Sequence, residues 1–206
     1  MPTPAVTLQF PLHIAVLDTE TTGLSARTDR MVEVAVLLLR VDHDARLLEQ
    51  VDAYQSLHDP GVPIPTYATA VHGITDAMVR GHRIDAERLG GILRRADLVV
   101  AHNTGFDKGF VRQLLPEVDA MTWGCSCRGI PWKRMYPHLY SISLTNLALG
   151  LRVQPGQAHR ALGDVETTVR LLLRDGPSGL PHLHQLVAKK AKAIALGRGA
   201  GSTSVV

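Results

Sequence analysis

The sequence predicts an α/β fold built around one mixed β-sheet. Three observations lead there. The first third of the chain carries three apolar, β-branched runs joined by short polar connections, the pattern of an antiparallel meander. Further on, segments with helical spacing alternate with a short, wholly apolar run, the pattern of strands crossed over by helices. The chain has 206 residues, enough for one domain with a continuous core.

Residues 1–12 contain Pro2, Pro4 and Pro11 and read as a lead-in without regular structure. Ile14 to Leu17 form the first strand, Met31 to Val41 the second, and Leu47 to Tyr54 the third, with Asp42 to Arg46 as a hairpin connection. Asp59 to Pro65 holds three prolines and a glycine and is a loop. Thr66 to Val71 fits one helical turn, Thr75 caps a short helix through Val79, and Ile84 to Arg95 has helical spacing at Leu89, Ile92 and Leu93. Leu98 to Ala101 reads as a buried strand. Asn103 caps the next helix, on which Phe106, Phe110 and Leu114 fall four apart, and Pro116 ends it. Residues 117–140 read as a loop-rich excursion holding Trp123, Trp132, Cys125, Cys127, Arg128, Lys133 and Arg134. Helices follow over Ser141 to Leu149, Ala161 to Arg174 and His182 to Leu196, and the Gly- and Ser-rich stretch from Gly197 reads as disordered. The expected organisation is a lead-in over 1–12, a domain over 13–176, and a C-terminal helix with a flexible tail over 177–206. No internal repeat is visible.

The composition is that of a globular protein: 45% hydrophobic, 20% charged, formal net charge +3 and a sequence pI near 9.1. This mild basic excess permits a polyanionic partner without demanding one. No apolar run reaches the length of a membrane span and no signal-peptide pattern opens the chain, so the expected compartment is the cytoplasm. Cys125 and Cys127, the only cysteines, are too few for a disulfide scaffold and read as reduced structural thiols.

The chemistry centres on His13 to Leu24, HIAVLDTETTGL. Alternate residues of a strand share a face, so Asp18 and Glu20 project together from the end of an apolar run. Two carboxylates held side by side repel, and a hard divalent cation relieves the repulsion. On this stretch alone, half a metal site and a solvated strand end are equally good readings. Asp107 stands in the first turn of a helix, where the dipole favours an acid; Asp164 stands likewise at the start of another. His159 precedes that second helix and is one of ten histidines. Thr21 to Gly23 make a turn. Glu33 and Glu166 read as ordinary polar positions, Trp123 and Trp132 as buried aromatics in a solvated loop, and Lys189, Lys190 and Lys192 as a solvated helix face.

Together these positions say more. DTETTG, HGIT, AHNTGFD and HRALGD occur in that order, and in this set the chain resembles the DEDDh-type 3′→5′ exonucleases, the group that contains the proofreading epsilon subunit of bacterial DNA polymerase III. The likeness covers about residues 13–175. It implies a ribonuclease H-like, five-stranded mixed sheet, three antiparallel strands then parallel ones, with helices on both faces. It implies two divalent cations, Mg²⁺ or Mn²⁺, one on Asp18, Glu20 and Asp164, the other on Asp18 with Asp107 direct or through water. His159 becomes the general base, and Thr21, Gly23, Leu24, His72 and Gly73 hold the terminal nucleotide. Phe106 is a candidate for base stacking. The implied substrate is the 3′ end of single-stranded DNA, with a DNA polymerase as a candidate partner. RNA as substrate, or an inactive nucleic-acid-binding scaffold, are the alternatives. The residue types suit the reaction: paired metals stabilise the entering and leaving oxygens of a phosphodiester, carboxylates supply their oxygen ligands, and imidazole, with an ordinary pKa of ~6.5, accepts a proton near neutral pH.

Overall fold

The computed structural model describes residues 8–201. Five strands form one sheet in the order β3-β2-β1-β4-β5. β1 (Leu12–Thr21), β2 (Met31–Val41) and β3 (Leu47–Leu57) are antiparallel, whereas β4 (Leu98–Ala101) runs parallel to β1, and β5 (Trp123–Cys125) parallel to β4. The mixed sheet implied by the motifs is present. Its fifth strand lies inside the stretch read as a loop-rich excursion. β5 has only three residues with Gly124 at its centre, too short for any periodicity; pairing with β4 makes it a strand.

Between the strands run α1 (Thr66–His72), α2 (Asp76–Val79), α3 (Ala86–Arg94) and α4 (Thr104–Val111), followed by a 3₁₀ turn over Pro116–Ala120. After β5 come α5 (Ser126–Gly129), α6 (Trp132–Met135), α7 (Leu144–Gly150), α8 (Ala161–Leu173) and α9 (His182–Gly201). Asn103 and Thr75 occupy the expected cap positions, but neither side chain makes a capping bond; Asp85 and Ser143 do. α9 extends to Gly201, into the start of the stretch read as a tail; Leu183, Leu186, Val187 and Ile194 anchor it in the core. The proline-containing residues 1–7 and the tail residues 202–206 lie outside the described residues.

The alternation of strand side chains sorts the core into two layers. Leu12, Ile14 and Val16 of β1, with Ala35, Leu37, Leu39 and Val41 of β2, face α7, α8 and α9. Ala15 and Leu17, with Val34, Val36 and Leu38, face α3 and α4. Trp123 and Trp132 are buried, as the sequence suggested. No helix among the described residues is long and apolar enough to cross a membrane.

Candidate active site

Parity along β1 decides where its acids point. Asp18 and Glu20 continue the series Leu12, Ile14, Val16 and so face α8. The first turn of α8 brings Asp164 against them, and oxygens of Asp18, Glu20 and Asp164 all lie within 4.8 Å of one another. Among the described residues this is the one group of three such side chains able to grip a cation. A bulge between Glu20 and Thr21 re-aims the strand where it leaves the sheet.

Asp107 arrives from the opposite layer. β4 ends at Ala101 while β1 continues, which leaves the Thr19 N–H without a backbone acceptor on that side. The Asp107 carboxylate takes it: Oδ1 accepts from Thr19 N at 3.1 Å and from Thr19 Oγ1 at 3.0 Å. At the other end of β4, Asp97 Oδ2 accepts the His13 N–H at 2.7 Å. Asp107 is 2% exposed, so it is far from the surface acid that a helix dipole alone would explain. It stands outside the trio, but its charge reaches Asp18 and Glu20.

The acids crowd one another in a poorly solvated corner. Burial first, then Asp107, Asp164 and Glu20, push Asp18 well above the usual carboxylate range. Burial, then Asp164 and Glu33, push Glu20 up to about 8. Burial drives Asp107 up to about 7 against the lowering effect of its Thr19 bonds. Burial also raises Asp164, which the nearby His159 charge and backbone N–H oppose. Such a set holds protons near neutral pH unless a cation replaces them, so the residues fit a divalent metal with oxygen ligands.

This has a measurable consequence. Glu20 and Asp107 have folded-state pKa values raised above their unfolded ones, near 4. Their contribution is whole below pH 4 and is lost as pH rises through 7 to 8. Metal-free protein should therefore melt lower at pH 8 than at pH 5.5, by at least about 2 °C, the shift of ~1 kcal/mol in a domain of this size. Mn²⁺ should raise the melting temperature more at pH 8 than at pH 5.5. Thermal melts at both pH values, with and without Mn²⁺, check both statements; equal stabilisation by Mn²⁺ at the two would contradict the crowding.

His159 is exposed and sits beside Asp164 on the segment that enters α8, with a left-handed backbone (φ +58°) unusual for a side-chain-bearing residue. The segment lies tightly on α8. A Cβ on Gly163 would collide with the Gln157 backbone, and one on Gly156 with the Gly163 backbone. Gly163→Ala should thus displace this segment and lower activity by about 10²-fold, the effect of misplacing a reacting group by ~1 Å, while circular dichroism stays native; full activity would refute the tight fit.

Glu33, read from sequence as ordinary, is not. It lies opposite Glu20 in the β1–β2 register and is 0% exposed. Arg160 grips it through Nη2 at 2.6 Å and Nε at 3.1 Å, the Ala161 N–H donates to it at 2.9 Å, and Gln55 Nε2 at 3.0 Å. Burial would raise its pKa, but these bonds outweigh burial and hold it below the usual range. The available signal was its place among the apolar residues of MVEVAV, where an acid must find partners; Arg160 and Ala161 lie 127 and 128 residues away. Glu166, by contrast, is as expected, paired with Arg170 on the surface of α8.

The nucleotide-holding candidates gather at the same end of β1. Thr21 Oγ1 donates to Gly23 O at 2.6 Å, and the space a Gly23 Cβ would need is filled by the Asp29 carboxylate. Leu24 is 88% exposed just beyond. His72 is buried; its Nδ1 accepts the Ile74 N–H at 3.0 Å across the left-handed Gly73, and its ring also meets the Thr21 backbone. Phe106 is half-buried and packs on Phe110 at 4.9 Å between centroids, more core edge than free platform. Cys125 and Cys127 are free thiols with sulfurs 3.6 Å apart.

A sheet of this topology with acids from β1, α4 and α8 converging at the end of its central strand defines a nuclease-type site, and comparison with known proteins agrees. Residues 15–172 match the Exonuclease family model, and the chain belongs to that family. It is 31% identical over 166 residues to a DNA polymerase III PolC-type protein of Clostridium perfringens, covering 79% of this chain and 11% of that one. It is 33% identical over 175 residues to a DNA polymerase III subunit epsilon-like protein of Rhodobacter capsulatus, covering 79% and 23%. The chain therefore spans a small part of these relatives. Among solved structures, exonuclease X in complex with 5′ overhanging duplex DNA superposes with a TM-score of 0.57 at 26% identity, over 89% of this chain and 98% of that one.

Proposed function

We propose that this chain is a metal-dependent 3′→5′ exonuclease that releases nucleoside 5′-monophosphates from the 3′ end of single-stranded DNA. The observation that carries the reading is the convergence of Asp18, Glu20 and Asp164 within 4.8 Å, with Asp107 pinned beside them by Thr19. Asp18, Glu20 and Asp164 would hold one divalent cation, and Asp18 with Asp107 a second, Mg²⁺ or Mn²⁺. When bound, such ions stabilise charge on the entering and leaving oxygens. His159 accepts the proton of the attacking water from its segment beside Asp164. The Thr21–Gly23 turn, Leu24 and the His72–Gly73 corner hold the terminal nucleotide. The family and the two DNA polymerase III relatives support DNA as substrate and a polymerase as partner.

The test is digestion of 3′-labelled oligonucleotides by purified protein with Mg²⁺, Mn²⁺ or chelator. Substrates are single-stranded DNA, duplex DNA with a 5′ overhang, and RNA of the same sequence. Stepwise shortening of DNA from the 3′ end, abolished by chelator, is expected. Faster digestion of RNA would overturn the substrate assignment. Intact substrate in every metal, with nucleic acid bound, would leave only a scaffold.

A further inference from the structure

We infer that Glu33 is a positioning residue for hydrolysis, which acts through Arg160 to hold the backbone at His159 in its left-handed turn. The inference rests on the reading of His159 as the base. Glu33 touches no reacting atom. Its two oxygens are fully used: Oε1 by Arg160 Nη2 and Gln55 Nε2, Oε2 by Arg160 Nε and the Ala161 N–H. Arg160 and Ala161 are the two residues immediately after His159. A carboxylate anchored near the start of β2 therefore grips the chain on one side of the turn, while the packing of Gly156 and Gln157 against Gly163 grips it on the other.

A left-handed conformation costs a residue with a Cβ roughly 1–2 kcal/mol and persists only where neighbours over-determine it. Glu33 supplies that constraint. The planar fork of arginine makes two bonds at once, fixing direction as well as distance. The Ala161 N–H is one of the unpaired donors that open α8, so the same carboxylate also sets where that helix begins. Released from Glu33, residues 158–160 can relax to an ordinary backbone, and the imidazole turns away from Asp164. This explains why an acid with no place in the metal cluster is buried opposite Glu20.

The test is a mutant cycle. Glu33→Gln is made in the wild-type chain and in His159→Ala, and kcat, KM and Mn²⁺ affinity are measured for all four proteins. In the wild-type chain, Glu33→Gln should lower kcat by about 10- to 100-fold, as loss of an orienting partner does, with KM and Mn²⁺ affinity changed by less than about threefold. In His159→Ala it should lower kcat by no more than about threefold, because residues that act as a unit are not additive. A purely structural role would reduce kcat equally in both backgrounds, and that result, or a parallel loss of Mn²⁺ affinity, overturns the inference. A fully active His159→Ala protein overturns it too, but through the base assignment, which that single variant reads alone. Should Glu33→Gln fail to fold by circular dichroism, Arg160→Lys replaces it in the same cycle: lysine keeps the charge and cannot make both bonds.

Discussion

Asp18→Asn is expected to abolish hydrolysis and to stabilise the metal-free protein. Asp18 is the one residue shared by both proposed cations, which supply several kcal/mol of transition-state stabilisation; its loss should cost at least about 10³-fold in kcat, tenfold for each ~1.4 kcal/mol. The same carboxylate is a burden without metal, because burial and four neighbouring acids oppose its ionisation. Asparagine keeps the shape and removes the charge, so the metal-free variant at pH 8 should melt about 2–4 °C higher, the response to ~1 kcal/mol in a domain of this size, and Mn²⁺ should no longer raise its melting temperature. Activity assays and melts with and without Mn²⁺ decide the matter. A variant that is inactive but less stable would mean that Asp18 is needed for folding rather than for the cation.

His159→Ala should lower kcat by about 10²–10⁴-fold, the usual cost of losing a general base, while the acid cluster still binds Mn²⁺ and the Mn²⁺-induced rise in melting temperature persists. The left-handed backbone adds a second reading. Alanine keeps the unfavourable Cβ at φ +58°, whereas glycine relieves it, so His159→Gly should be the more stable of the two by about 1 kcal/mol and equally slow. Equal stability would mean that residue 159 is not held left-handed in solution. Activity within threefold of wild type in either variant would assign proton acceptance elsewhere.

Much of this arrangement was legible in the sequence. The apolar, β-branched segments of β1, β2 and β4 announced themselves, because buried strands need such side chains. The parity of Asp18 and Glu20 followed from the two-residue repeat of a strand. The convergence of Asp107 and Asp164 on them did not follow from any local pattern; only the resemblance implied it, and the structure sets Asp164 within 4.8 Å of both and Asp107 against Thr19. β5 was missed because three residues around a glycine carry no periodic signal. Glu33 was missed for a different reason. A lone acid in an apolar strand is a conflict visible in the sequence, but its resolution by Arg160 depends on a contact between distant parts of the chain.

β4 has only four residues, and that brevity has a meaning of its own. A longer strand would complete the ladder alongside β1 and would offer Thr19 an ordinary carbonyl partner. The Asp107 side chain would then be evicted, and α4 would start further out. Insertions just after Ala101 should thus be tolerated by the sheet and fatal to turnover, so the shortness of this strand makes room for the carboxylate.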